Sequence, residues 1–155
     1  MAIRIEFDPE GVRAIANAID AGALEGLDAA GDIIVADARE RAPQATGQLV
    51  NSIQVTEQPT GSVLSGGATM TIGAGAPYAT FVEFGTGIHG PKGTRIYPKT
   101  KKAMRWEGAG GYIFARSTAG MKAQPFMVPA VEENLDTIGE VVGDAIDNAL
   151  DKVGR

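Results

Sequence analysis

The chain has 155 residues, 44% hydrophobic and 21% charged, close to the globular average, so neither a wholly disordered chain nor a membrane protein is expected. A formal net charge of -5 argues against a protein that coats nucleic acid over its whole surface. Without cysteine there is no disulfide framework, thiolate metal site or cysteine nucleophile, and a single histidine, His89, supplies zinc chemistry poorly.

The length fits one domain, 1–155, with a modest core. No run approaches the roughly 18 apolar residues of a bilayer span, and Met1 to Glu6 lacks a secretory apolar core. A cytosolic protein is therefore expected after synthesis, with no membrane partner. The 21 glycines follow no collagen or solenoid period and mark loops and close packing.

In chain order, Ile3 to Phe7 alternates apolar and polar residues, the pattern of a short half-buried strand. Asp8-Pro9-Glu10 reads as a helix start: Asp8 caps free amide groups, Pro9 lacks an N–H that the first turn leaves unpaired anyway, and Glu10 complements the dipole. Val12, Ile15, Ile19, Leu24, Leu27, Ile34 and Ala38 then recur near helical spacing. The helix is predicted to run to about Glu40 and to stop before Pro43, which disfavours helical geometry at Ala42. Gly22, Gly26 and Gly31 each weaken it by roughly 1 kcal/mol relative to alanine, so a bend or a close helix contact is expected there, with a break near Gly22 as the alternative.

Thr46-Gly47-Gln48 opens a single turn carrying Leu49, Val50 and Ile53. Gln54 to Glu57 and Ala68 to Ile72 read as two strands of a hairpin joined by Pro59 to Gly67. Tyr78 to Phe84 suits a short helix or a buried strand, and periodicity does not choose between them. From Gly85 to Gln124 glycine and proline are dense, and eight of the chain's fourteen lysines and arginines meet a single carboxylate, Glu107. Within this stretch Arg95 to Tyr97 and Tyr112 to Arg116 are candidates to pair, yet the glycine content favours a long mobile arm over a packed layer. From Val131 through Leu135, Ile138, Val142, Ile146, Leu150 and Val153 a closing amphipathic helix is predicted, with Pro125 and Pro129 near its first turn. Its other face, Glu132, Glu133, Asp136, Glu140, Asp144, Asp147 and Asp151, is acidic. The expected architecture is α+β: long N-terminal and C-terminal amphipathic helices packed on a small, mostly antiparallel sheet, with a long basic arm at 85–124.

Gly85-Thr86-Gly87-Ile88-His89-Gly90 matches G-x-G-x-x-G, but the dinucleotide fingerprint needs a helix starting inside the glycine run, and Pro91 and Gly93 follow at once. Lys92 does not complete a Walker A loop, because Pro91 intervenes and position 93 is glycine. A Glu83–His89 acid–base pair lacks a third, orienting residue. The carboxylate row of the last helix reads as a solvated face rather than a calcium cage. No catalytic residue, metal site or cofactor is assigned, and an enzyme is not expected.

The arm is more informative. Lys92, Arg95, Lys99, Lys101, Lys102, Arg105, Arg116 and Lys122 interleave with Tyr97, Trp106, Tyr112 and Phe114, the composition of a subunit interface or of a nucleic-acid contact; the bland reading is a solvated loop around a partly buried Trp106. A basic arm and an acidic helix on one chain suit head-to-tail neighbours in a closed ring.

Arg41-Ala42-Pro43 with Thr46-Gly47-Gln48-Leu49 and Ser52-Ile53, the block Tyr78-Ala79-Thr80-Phe81-Val82-Glu83-Phe84-Gly85-Thr86, and the block Gln124-Pro125-Phe126-Met127-Val128-Pro129-Ala130 together resemble the head-to-tail connector family of long-tailed phages, the small neck or tail-completion proteins. The resemblance covers roughly Val12 to the end. It implies a virion protein of the neck, assembled in the host cytoplasm, that forms a ring around the DNA channel and joins the head-side stopper or adaptor to the tail terminator or tail tube. It brings no catalytic residues. It also implies structural roles for Tyr78, Phe81, Glu83, Phe84, Gly85, Pro125, Phe126 and Met127, with Phe126 and Met127 wedged under the last helix. Six-fold symmetry is favoured and twelve-fold is the rival; non-specific DNA contact in the channel is the arm's second role. The competing function is a cytosolic nucleic-acid-binding accessory protein that uses the arm alone.

Overall fold

A computed structural model describes residues 8–154. The strand expected at Ile3 to Phe7 lies outside them. The architecture is α+β, with five helices and two separate two-stranded antiparallel sheets among the described residues, where one small sheet was expected.

Helix α1, Pro9–Arg41, runs without a break. The side chain of Asp8 accepts from the Glu10 amide at 3.0 Å, and the chain turns extended at Ala42, before Pro43, as the capping and proline rules require. The glycines mark close packing. Helix α5, Leu135–Val153, crosses α1 antiparallel, and a Cβ on Gly22 would stand 2.7 Å from Ile146 Cα, one on Gly26 2.6 Å from Val142 Cα. Gly31 instead makes room for Met70 of the hairpin. The buried side of α1 is therefore mostly alanine and glycine: Ala18, Gly22, Ala23, Gly26, Ala30, Gly31 and Ala38, joined by Ile34 and Val35. Val12 and Ile15, expected in the buried stripe, are each 47% exposed.

Helix α2, Gln48–Ser52, delivers Leu49 to the core and leads into strand β1, Ile53–Ser62, which pairs with β2, Gly67–Ala74. The strands are longer than the expected Gln54–Glu57 and Ala68–Ile72. Register shifts between Val55 and Glu57 and between Glu57 and Thr60 let the ladder pass Pro59, which cannot donate to it. Tyr78 to Phe84 resolves into a short helix, α3, Ala79–Phe84.

Strands β3, Met104–Gly108, and β4, Gly111–Ala115, form the second hairpin. The pairing expected between Arg95–Tyr97 and Tyr112–Arg116 does not form. Tyr112 to Ala115 pairs with Met104 to Glu107 through a two-residue turn, leaving Ile96 a single bridge to Thr118. The closing helix is also in two pieces: α4, Met127–Glu132, then α5. At the joint the Asn134 side chain donates to Asp37 Oδ2 at 2.7 Å and to the Ala130 carbonyl at 2.8 Å, while Arg41 forks onto Glu133 at 3.0 and 2.6 Å.

The core gathers where the C-terminal half of α1 meets α2, α3 and α4: Ile34, Val35, Ala38, Ala42, Leu49, Ile53, Ala76, Ala79, Val82, Phe126 and Ala130. Phe126 and Ile53 are its largest fully buried side chains. Among the described residues no helix is long and apolar enough to cross a membrane.

Two predictions follow from this packing. Gly26→Ala raises intrinsic helix propensity yet lowers stability by about 1–3 kcal/mol, because its methyl group meets the backbone of α5, whereas Gly139→Ala, with open space around it, raises stability by about 1 kcal/mol; urea midpoints of the two variants should move in opposite directions. The second concerns acid. The Asp37 carboxyl is held below its ordinary value of 3.8, first by the hydrogen bond from Arg41, with Asn134 and the Arg41 charge assisting and desolvation opposing. A lowered carboxylate contributes stability above its unfolded pKa and loses it as pH falls through the folded one. Asp37→Asn should therefore be less stable at neutral pH, with the gap to wild type closing below pH 3.8 in thermal melts.

Candidate functional site

The basic arm and the blocks that anchor it form the candidate site. Its floor is α3. The inward side of this short helix carries Ala79, Val82 and Glu83, so Phe81 and Phe84 turn outward and are 55% and 52% exposed. Tyr78 is half-buried, Gly85 and Phe126 are buried, Met127 is half-buried and Pro125 is exposed.

Glu83 is 7% exposed and makes the joint between the two blocks. Its Oε2 accepts from the amides of Phe126 at 2.8 Å and Met127 at 3.0 Å, and its Oε1 accepts from Val128 at 2.9 Å. A helix leaves its first four N–H groups without internal partners. In α4 three of these go to Glu83 and the fourth position is Pro129, which has no N–H, so none is stranded. The Gln124 amide adds a bond to the Val82 carbonyl at 2.8 Å. With both oxygens engaged, Glu83 serves as a structural cap rather than an acid–base partner for His89, which lies exposed on the surface.

The glycine run that imitates a nucleotide loop has a different use. Thr86 and Ile88 donate to the carbonyls of Met121 and Ala119 at 2.9 and 2.8 Å, and the Met121 amide donates to Thr86 Oγ1 at 2.8 Å. Here two backbones cross in contact. Gly87, at φ +65°, lies so near Ala119, and Gly120, at φ +90°, so near Thr86, that a Cβ on either would overlap the facing carbonyl. The crossing closes the base of the arm. Beyond it come the Ile96–Thr118 bridge, an Arg95 Nε bond to Ser117 Oγ at 3.0 Å, and the β3–β4 hairpin.

Every cation named for the arm is exposed: Lys92, Arg95, Lys99, Lys101, Lys102, Arg105, Arg116 and Lys122. Trp106 is 41% exposed, and Tyr112 and Phe114 are 61% and 67% exposed. The hairpin register puts Met104, Trp106, Ile113 and Ala115 on one face and Arg105, Glu107, Tyr112 and Phe114 on the other. On the second face the Arg105 guanidinium stands 4.4 Å from the centre of the Tyr112 ring. Lys101, Arg105, Trp106 and Phe114 share an open groove of about 780 Å³ with Pro98 and Met104. The remaining cations are spread along the arm, with Lys122 back at its base. None of the residues of β3 or β4 is buried.

Two structural roles escaped sequence reading. The Asp37–Arg41–Glu133–Asn134 cluster joins α1 to the α4–α5 joint with no local signal beyond the charges themselves. Gly120 is the partner of the Gly85–Gly90 run, and only its glycine identity hinted at it.

Glu83→Gln should lower stability by about 1–3 kcal/mol, since one of its two carboxylate oxygens becomes an NH2 facing an amide N–H. Chemical denaturation against wild type checks this, and an unchanged midpoint would show the cap to be dispensable.

No curated protein and no solved structure matches the chain. A family model described as "Bacteriophage HK97-gp10, putative tail-component" matches residues 11–85, from the start of α1 to the end of α3. The matched segment holds Glu83 and the Arg41-Ala42-Pro43 and Tyr78–Gly85 blocks, and ends where the arm begins. Over this segment, just under half of the chain, the sequence is similar to the HK97-gp10-like family of phage tail components, which fits the resemblance to the head-to-tail connector proteins of tailed phages and is consistent with a structural role in a virion.

Proposed function

We propose that this chain is a structural subunit of the virion neck, acting as one connector unit over 1–155, that assembles into a ring around the DNA channel and joins the head-side connector to the tail. The observation that carries this reading is the arm. It is braced at its base by a backbone crossing, held above that by a single bridge between Ile96 and Thr118, and yet ends in a hairpin with no buried residue and three exposed aromatic rings. An isolated two-stranded hairpin is marginally stable in water at best, and exposed aromatic residues beside arginine are the usual material of interfaces. Such an arm is built for a neighbour.

A heterologous contact repeated by rotation closes a ring, with about six copies favoured and about twelve as the rival. The work done is mechanical; no group-transfer chemistry is assigned to any side chain. The second reading, a DNA-binding accessory protein in the host cytoplasm, draws on the same exposed Trp106, Tyr112 and Phe114 among cations.

Averaging the neck region of virions that contain this chain tests the proposal. Ring density between portal and tail tube that accepts the helical body and the arm is the expected result, and its rotational order gives the copy number. Absence of the chain from virions, together with a steep salt dependence of DNA binding by the purified protein, would sink the neck reading in favour of the second.

A further inference from the structure

Among the described residues two surfaces lack a partner, and their chemistries are complementary. The first is the β3–β4 hairpin with the segment before it. Lys99, Lys101, Lys102 and Arg105 stand among exposed Trp106, Tyr112, Ile113 and Phe114, and Glu107 is the only carboxylate from Gly85 to Gln124. The second is the outer side of α5. Asp136, Glu140, Asp144, Asp147 and Asp151 recur at helical intervals of three and four, forming one row opposite the side that packs on α1, and all five are exposed. Like charges at such spacing repel one another along the helix, and Lys152 is the only cation within α5.

Taking the ring reading above as its basis, we infer that the basic aromatic hairpin of one copy docks along the acidic side of α5 of the next copy. The dimensions agree: Asp136 to Asp151 spans about 22 Å of helix, and a five-residue strand such as β3 about 17 Å. The occupant is a second copy because one chain carries both halves. The two halves are different surfaces, so the contact is head-to-tail and propagates around a ring instead of stopping at a dimer. Arg105 lies against Tyr112, which holds a cation and a ring together on the same hairpin face. DNA is the competing occupant of the hairpin, and it has no use for the acidic row.

The chain has no native cysteine, which makes the contact directly readable. Full-length chain carrying Lys102→Cys together with Asp136→Cys, Asp144→Cys or Asp151→Cys is supplied to phage lacking its own copy, and the particles are treated with a short bis-maleimide. A head-to-tail contact gives a ladder of covalent multimers up to the ring number for at least one of the three pairs, whereas Lys102→Cys alone gives none. In parallel, Lys101→Glu with Lys102→Glu should reduce incorporation into particles by about tenfold or more, and adding Asp144→Lys with Asp147→Lys should restore most of it, because facing like charges cost several kcal/mol. Ring density in the neck without a ladder from any pair, and without rescue by the paired reversals, overturns this contact while leaving the neck assignment standing. Absence of the chain from the neck overturns both. A ring in which the hairpin density runs onto DNA assigns the hairpin to the channel and refutes the inference.

Discussion

The buried carboxylate of Glu83 ties together two short helices that lie far apart in the sequence. It lies on a helix of six residues and satisfies the amides that open another helix of six residues, more than forty positions further along the chain. Neither helix is long enough to persist alone, since helix nucleation is costly and short helices depend on tertiary partners. This joint orients α4, while α5 beyond it is held by the Asn134–Asp37 bond and by its seam with α1. Phe126, the residue at its first amide, is fully buried beside Ile53, Leu49 and Ala130, so the polar cap and the apolar core are secured by adjacent atoms of one backbone segment. The arm leaves the body between the two partners, and its base is clamped by the same contact.

Close approach of backbones is the second constraint. α1 and α5 meet through glycine and alanine, and the gain is dispersion and exclusion of water along a flat seam rather than interlocking of large side chains. That choice leaves branched residues such as Val12 and Ile15 toward solvent and gives the body a thin core.

Much of the fold was legible because its signals are local. Asp8-Pro9 and Ala42-Pro43 mark both ends of α1 through capping and proline geometry, and the acidic and apolar sides of α5 separate cleanly at helical period. The buried side of α1 was misjudged for a physical reason: hydropathy favours Val and Ile, whereas the helix contact selects for absence of a side chain. The break at Glu133 and Asn134 carries no glycine or proline, being set by a bond from Asn134 to Asp37, 97 residues away in sequence. In the arm the composition pointed to an exposed basic segment, but which strands pair depended on the Gly108 to Gly111 turn, and weak propensity placed the partner of Tyr112–Arg116 too early. Glu83 was singled out only through a family block; its task as a cap became visible once α3 and α4 were adjacent.

The crossing of Gly87 and Gly120 separates two regimes of tolerance. At the crossing itself a single methyl group has nowhere to go; beyond it, residues 97 to 117 touch little besides one another. An insertion joined to its host through so slender a neck is free to lengthen, shorten or be traded for another hairpin without disturbing the helical body. Changes confined to the arm would thus alter the surface it presents while keeping the fold of the helical body.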